Sequence, residues 1–219
     1  VIIKSNADFF GEIQMITDRN SPFKLGITGG IGSGKTSVCR VFDVLGIPVF
    51  SADREASEIM ETESEIKSQL NSITGKDLYR GGSLDRMLLA DIIFNDDAAL
   101  EKVNSLIHPK VSDNFMRWAI VQESQYVIME AAILFESGAS AFVDRIATVV
   151  APVNERVDRV IQRNMLTKEQ VMVRIKKQMD DETRMKLSDY IIYNSENDMI
   201  IPAILKIHDD ILTIINNNT

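Results

Sequence analysis

The chain has 219 residues, 45% hydrophobic and 26% charged, which suits one soluble globular core with room for a small inserted lobe. Its net charge of −8, from 32 acidic and 24 basic side chains, opposes a nucleic-acid duplex or a membrane surface as a main partner. The single cysteine, Cys39, allows no intramolecular disulfide and suits a reducing cytoplasm, and no apolar run nears the ~20 residues of a bilayer span.

Residues 1–22 read as an N-terminal extension rather than a signal peptide, because Asp8 and Glu12 interrupt its apolar content. Phe9, Phe10, Ile13 and Ile16 are placed to line one side of a short helix. FKLGIT (Phe23 to Thr28) is a short apolar segment ending at glycines and reads as a buried strand. Val38, Val41, Phe42 and Leu45 then recur at helical spacing as far as Gly46, with Cys39 as a small buried hydrophobe on that helix. IPVFSAD (Ile47 to Asp53) reads as a second strand that gives way to a helix near Arg54. Two successive strand–helix units predict a parallel sheet covered by helices.

From about Glu58 to Trp118 the pattern is helices and polar turns, with no convincing strand. The Gly81-Gly82 turn in KDLYRGGSLDR joins two helical stretches, the second carrying Leu88, Leu89, Ile92 and Ile93. Pro109, in LIHPKV, marks a helix boundary or kink. The sheet resumes with YVIMEAAILFE (Tyr126 to Glu136) and RIATVVA (Arg145 to Ala151). Two basic helices follow, then DYIIYN (Asp189 to Asn194) as a fifth strand. Ile204, Ile207, Ile211 and Ile214 give the closing helix its spacing, before an Asn-rich end expected to fray.

GITGGIGSGKT (Gly26 to Thr36) contains G-x-x-x-x-G-K-S/T between a strand and a helix, the context in which this loop wraps phosphates. The glycines let backbone N–H groups of Gly30, Ile31, Gly32, Ser33 and Gly34 turn around an anion, and the following helix adds its positive end. Lys35 should reach the β- and γ-phosphates of a nucleotide, Thr36 should ligate Mg²⁺, and Ser33 and Ser37 add phosphate contacts.

Asp53 follows the second strand, where ligands of parallel sheets collect. Its carboxylate is either the base for an attacking hydroxyl or a cap for the helix beginning at Arg54. Glu130 sits in an otherwise apolar strand, either acting through water on Mg²⁺ or holding structural hydrogen bonds. Arg156, Arg159 and Arg163 share one helix face, and Arg174 and Lys177 recur on the next helix. Such a stripe is either a solvated face or a lid that neutralises charge over the phosphates and excludes water. No Cys or His cluster surrounds His108, which speaks against zinc, and His208 reads as a surface or edge residue.

These residues resemble the dephospho-coenzyme A kinase family. TGGIGSGKTS looks like its phosphate loop, GIPVFSAD its second strand, GSLDR its L-D/N-R signature and LIHP its His-Pro signature. EAAILFE resembles its acidic third strand, and RVIQR, RIKKQM and SDYIIYN its lid and final strand. The resemblance implies an α/β fold: a P-loop nucleotide-kinase-like parallel five-stranded sheet flanked by helices, with an inserted helical acceptor lobe and a helical lid. It implies a nucleotide-binding core at 23–57, 119–151 and 189–219, a coenzyme A lobe at 58–118 and a lid at 152–188. It also implies the reaction, transfer from ATP to the ribose 3′-hydroxyl of dephospho-CoA.

On this chain Lys35 would bind phosphate, Thr36 the Mg²⁺, and Asp53 would be the base. Arg86 and His108 match positions in or beside the acceptor lobe, and Arg159 and Arg163 match the lid. Three positions depart from the family pattern: Ser51 stands for an Asp, Ala132 for a Pro and Ser188 for an Ala. None removes a group the mechanism needs. Two other classes stay open: a kinase of another small acceptor, or a nucleotide-binding switch, although no N-K-x-D base-reading motif is present. A cytoplasmic monomer or weak homo-oligomer completes the expectation.

Overall fold

The structure is a computed structural model and describes residues 21–164 and 166–217. The expected helix around Phe9 to Ile16 and the last two residues lie outside them. Strand β1 (Phe23–Thr28) runs into the glycine loop and helix α1 (Lys35–Val44), followed by β2 (Val49–Ser51) and α2 (Ala52–Thr62). Helix α3 (Ser64–Thr74), a hairpin of β3 (Tyr79–Arg80) and β4 (Ser83–Leu84), α4 (Arg86–Asn95) and the long α5 (Asp97–Ile120) come next. Strands β5 (Tyr126–Glu130) and β6 (Arg145–Val150) precede α6 (Val153–Asn164), α7 (Lys168–Lys177) and α8 (Asp181–Lys186). The chain then adds β7 (Tyr190–Tyr193) and α9 (Ile200–Asn217).

The main sheet has the order β2-β5-β1-β6-β7 and every pair in it is parallel. All five carboxyl ends therefore open on one edge, where ligands of such sheets bind. In that edge Glu130 stands opposite Ile27 on one side and Ser51 on the other. Both faces are buried, and strand alternation sorts β5 between them. Val127 and Met129 join the core under α2, α3 and α5, together with Phe50, Ile66, Leu70 and Phe115. Tyr126 and Ile128 join the opposite core under α1 and α9, with Leu25, Phe42, Ile204 and Ile211. Each fully buried side chain of this size stabilises the fold by about 1.5–3 kcal/mol.

Several expectations are corrected. The third strand stops at Glu130 rather than Glu136, because the Ala131 N–H is the last to pair along β1 (with Ile27 O, 3.0 Å) and the chain then turns, Ser137 N–H meeting Ile133 O at 2.9 Å. The second strand is likewise shorter, and its helix starts at Ala52. The region between Glu58 and Trp118 does hold strands, the two-residue pairs β3 and β4. Gly81 and Gly82 have φ of 60° and 89°, the positive values of the two-residue hairpin turn, which any Cβ would strain.

Helix α5 runs through Pro109 without ending there. The lost backbone bond costs about 3 kcal/mol. It is offset by the stripe Val103, Ile107, Val111 and Phe115, buried at positions four apart. Helix α9 continues as far as Asn217. His208 sits half-buried at the edge of the core, as expected, where its Nδ1 and the buried Tyr126 hydroxyl share a hydrogen bond of 2.7 Å.

Candidate active site

The phosphate loop starts where β1 ends. Gly34, the residue before α1, has φ of 95°, and no side chain caps the helix. The first N–H groups of α1 are thus left toward the crevice, where an anion can satisfy them. A side chain at Gly34 would be strained at that φ and would collide with the Asn194 amide. That amide donates to Ser33 O at 2.7 Å, tying the loop to the end of β7. Lys35 is only 9% exposed, and its Nζ donates to Gly29 O at 2.9 Å. Burial lowers its pKa, opposed by the negative charges of Asp53 and Glu130 and reinforced by Arg184.

A cavity of about 430 Å³ opens over this loop. It gathers Ile31, Gly32, Gly34, Lys35, Thr36, Ser37, Asp53, Glu130, Arg159 and Arg163, ten residues singled out from sequence for phosphate, metal or base roles. Gly30 and Ser33 do not line it. Gly30 packs under Arg156, whose guanidinium fills the place of a Cβ. Ser33 is buried, with its Oγ unpartnered among the described residues. The Thr36 hydroxyl donates to Glu130 Oε1 at 2.8 Å. Among the described residues, no three His, Cys, Asp or Glu side chains cluster as a metal cage.

Asp53 does not cap α2. The N-cap residue is Ser51, without a side-chain cap bond, and Asp53 lies in the first turn with an exposed carboxylate. No hydrogen bond among the described residues engages that carboxylate. Beyond it lies a second, apolar cavity of about 190 Å³ between α2, α4 and α5, lined by Met60, Leu89, Ile93, Val111 and His108 among others. Asp53 lines both cavities and, among the described residues, is the one they share. Phe50 fixes the end of β2 three residues earlier, packed 5.4 Å from the rings of both Phe115 and Trp118.

Arg86 does not line either cavity. It opens α4, where the preceding Asp85 accepts the Leu88 N–H at 3.0 Å. Its Nη1 donates to Ser57 Oγ at 3.1 Å, and Ser57 Oγ donates to Asp53 O at 3.0 Å. His108 lines the apolar cavity, and burial lowers its pKa.

The arginine stripe on α6 runs from buried Arg156 through half-buried Arg159 to exposed Arg163. Arg156 is 3% exposed, donating from Nε to Ile31 O at 2.9 Å and from Nη1 to Asp181 at 2.7 Å. Arg159 donates to Asn194 O and to Glu155, each at 2.9 Å, and more weakly to Gly32 O at 3.5 Å. Asp181 also accepts from the fully buried Arg184 at 2.8 Å, so one carboxylate serves two buried guanidiniums. Ile31 packs against the apolar cluster of Val157, Val160 and Val171 on α6 and α7.

Sequence reading missed Gln178, Asn194, Asp181 and Arg184. Asn194 was findable, since it follows a strand at the carboxyl edge. Ser188, the departure beside β7, is accommodated by hydrogen bonds of its hydroxyl to Thr148 Oγ1 at 2.6 Å and Arg184 O at 2.9 Å.

A family model described as dephospho-CoA kinase matches residues 23–199. The dephospho-CoA kinase of Bacteroides fragilis is 39% identical over 185 residues, covering 84% of this chain and 90% of that protein. The crystal structure of TT1252 from Thermus thermophilus superposes with a TM-score of 0.76 at 30% identity, covering 88% of this chain and 97% of that one. The structure of dephospho-CoA kinase from Campylobacter jejuni shares the fold, with a TM-score of 0.63 at 24% identity over 90% of this chain and 98% of that one. Matched over most of its length, the chain belongs to the dephospho-CoA kinase family.

Proposed function

We propose that the chain transfers the γ-phosphoryl group of ATP to the ribose 3′-hydroxyl of dephospho-CoA, giving CoA and ADP, the final step of coenzyme A biosynthesis. The observation that carries this reading is the position of Asp53, shared between the phosphate-loop cavity and the apolar cavity of the helical lobe. ATP occupies the first and dephospho-CoA the second, so that the acceptor hydroxyl meets the γ-phosphorus beside that carboxylate. Asp53 takes the hydroxyl proton as the new O–P bond forms and the bond to the β–γ bridging oxygen breaks.

Lys35, Arg159 and Arg163 offset charge on the transferring group, and the lid helices keep water out. Arg86 steadies the turn of α2 that carries Asp53, through Ser57, and His108 contacts the acceptor. Residues 23–57, 119–151 and 189–219 form the nucleotide core, 58–118 the acceptor lobe and 152–188 the lid, with 1–22 an extension.

Thr36 and Glu130 suit Mg²⁺, which keeps several waters and takes phosphate oxygens, so a hydroxyl and one nearby carboxylate suffice. Thr36 would be a direct ligand and Glu130 would act through water. When bound, the ion neutralises charge across the β- and γ-phosphate oxygens. Neither nucleic acid nor a membrane is a partner of this acidic chain, and no helix among the described residues is long and apolar enough to cross a bilayer. We place it in the cytoplasm as a monomer or weak homo-oligomer.

The test is an acceptor panel with Mg·ATP, following ADP release. Dephospho-CoA should be turned over fastest; faster transfer to a nucleoside monophosphate or a sugar acid would reassign the acceptor. Nucleotide binding with no transfer to any acceptor would point to a switch.

A further inference from the structure

Three consecutive residues where the lid leaves α7 each bond a different part of the molecule. The Lys177 ammonium sits 3.6 Å from the centroid of the Phe94 ring and donates to Phe94 O at 3.1 Å, reaching the end of α4. Gln178 Oε1 accepts the Ile31 N–H of the phosphate loop at 2.8 Å. The Met179 N–H donates to Glu136 Oε1 at 3.0 Å, and Met179 O accepts from Arg184 at 2.7 Å. Gln178 is also where helical geometry ends, with φ −89° and ψ 157°, so its side chain leaves the helix direction and lies against the loop.

A carboxamide has one oxygen and one NH₂ group. Here the oxygen is committed to Ile31, which fixes the orientation, while Nε2 makes no hydrogen bond among the described residues. Gln178 lines the phosphate-loop cavity together with Lys35, Thr36 and Arg159. The flanking anchors at Lys177 and Met179 hold it there from both sides.

We propose that Gln178 is a phosphate-contacting residue: with Oε1 held by the Ile31 N–H, its NH₂ donates to an oxygen of the transferring phosphoryl group of a nucleoside triphosphate. The amide is neutral and not basic, so it orients the group without taking a proton from the acceptor hydroxyl. This inference rests on the kinase reading for its turnover assay only, since its nucleotide contact is tested without any acceptor.

The experiment compares the full chain with Gln178→Glu and Gln178→Ala. Glutamate keeps an oxygen for Ile31 but removes the NH₂ donor and adds a negative charge beside the phosphates. Hydrogen bonds to charged groups are strong enough that losing one should lower kcat by about ten- to a hundredfold. We expect that loss in both variants, with Gln178→Glu at least as impaired as Gln178→Ala. Near-normal turnover in Gln178→Glu beside an impaired Gln178→Ala would reduce Gln178 to a strut for Ile31 and overturn the proposal. Normal turnover in both would do the same.

A second measurement needs no variant and no acceptor. In the wild-type chain, the Gln178 side-chain amide protons should shift on adding a non-hydrolysable ATP analogue with Mg²⁺. Unshifted amide protons under saturating analogue would overturn the proposal. If the wild-type chain fails to phosphorylate dephospho-CoA while these protons shift, the acceptor assignment falls and the Gln178 contact stands.

Discussion

The Thr36 hydroxyl and the Glu130 carboxylate meet at 2.8 Å across the floor of the phosphate-loop cavity. One residue lies in the first turn of α1 and the other closes β5, so the sheet register that places Glu130 opposite Ile27 also brings this pair together. The pair is where Mg²⁺ would sit. Thr36→Val keeps the shape and removes the ligand oxygen. Titrating Mg²⁺ against turnover should then require about tenfold more metal or greater, while chelation with EDTA should stop the wild-type reaction. An unchanged metal requirement in Thr36→Val would take the residue out of the metal site.

Lys35 is held against Gly29 O with its charge partly desolvated, so its ammonium is positioned before nucleotide arrives. Removing one donor to a developing charge typically costs about 3–4 kcal/mol. Lys35→Ala should therefore lower kcat by roughly a hundredfold or more, measured by coupled ADP release. A loss below about tenfold would mean the arginines of the lid carry that charge.

Asp181 offers one carboxylate to two buried guanidiniums, those of Arg156 and Arg184. Asp181→Ala leaves both cations buried without that partner, a change that typically destabilises by about 3–5 kcal/mol. Guanidinium chloride unfolding should show the midpoint falling at constant slope. Because Arg156 also bonds Ile31 O, the affinity for ATP should weaken as well. A midpoint within error of wild type would show that the pairing contributes little.

His108 is pushed toward its neutral form by burial. Its folded pKa lies below the unfolded value of about 6.5, so the unfolded chain binds the proton more readily. The stability this group contributes is present above pH ~6.5 and is lost as pH falls through the lowered folded value. Measured between neutral pH and about pH 5, the stability of His108→Gln should fall less steeply than that of wild type. Parallel curves would assign the acid sensitivity to other groups.

How far the sequence reaches follows from the kind of signal each residue leaves. Phe23 to Thr28 and Arg145 to Val150 are apolar runs bounded by turns, and both are strands of the buried sheet. The loop motif located Lys35 and Thr36 because its spacing is itself the geometry. Pro109 does not end α5, since four buried side chains outweigh its penalty. Tyr126 to Glu136 reads as one strand because apolar content alone does not mark where pairing stops.

Gln178 leaves no local trace at all, and Asn194 shows only its place at the end of a strand. They reach the phosphate loop from 147 and 161 positions away, and only the folding of α7 and the sheet brings them there. Arg156 looks solvated on a helical wheel, yet it is buried because Asp181 and Ile31 O close over it. Charge partners supplied by other elements are invisible to periodicity.

The central claim is that Asp53 joins a triphosphate site to an acceptor site. Its most direct test is to incubate wild type and Asp53→Asn with Mg·ATP and dephospho-CoA and to identify the product by mass and by the position of the new phosphate. The account predicts CoA phosphorylated at the ribose 3′ position from the wild type. It predicts ATP binding without product from Asp53→Asn. Full product from Asp53→Asn, or a phosphate at another position, would contradict it.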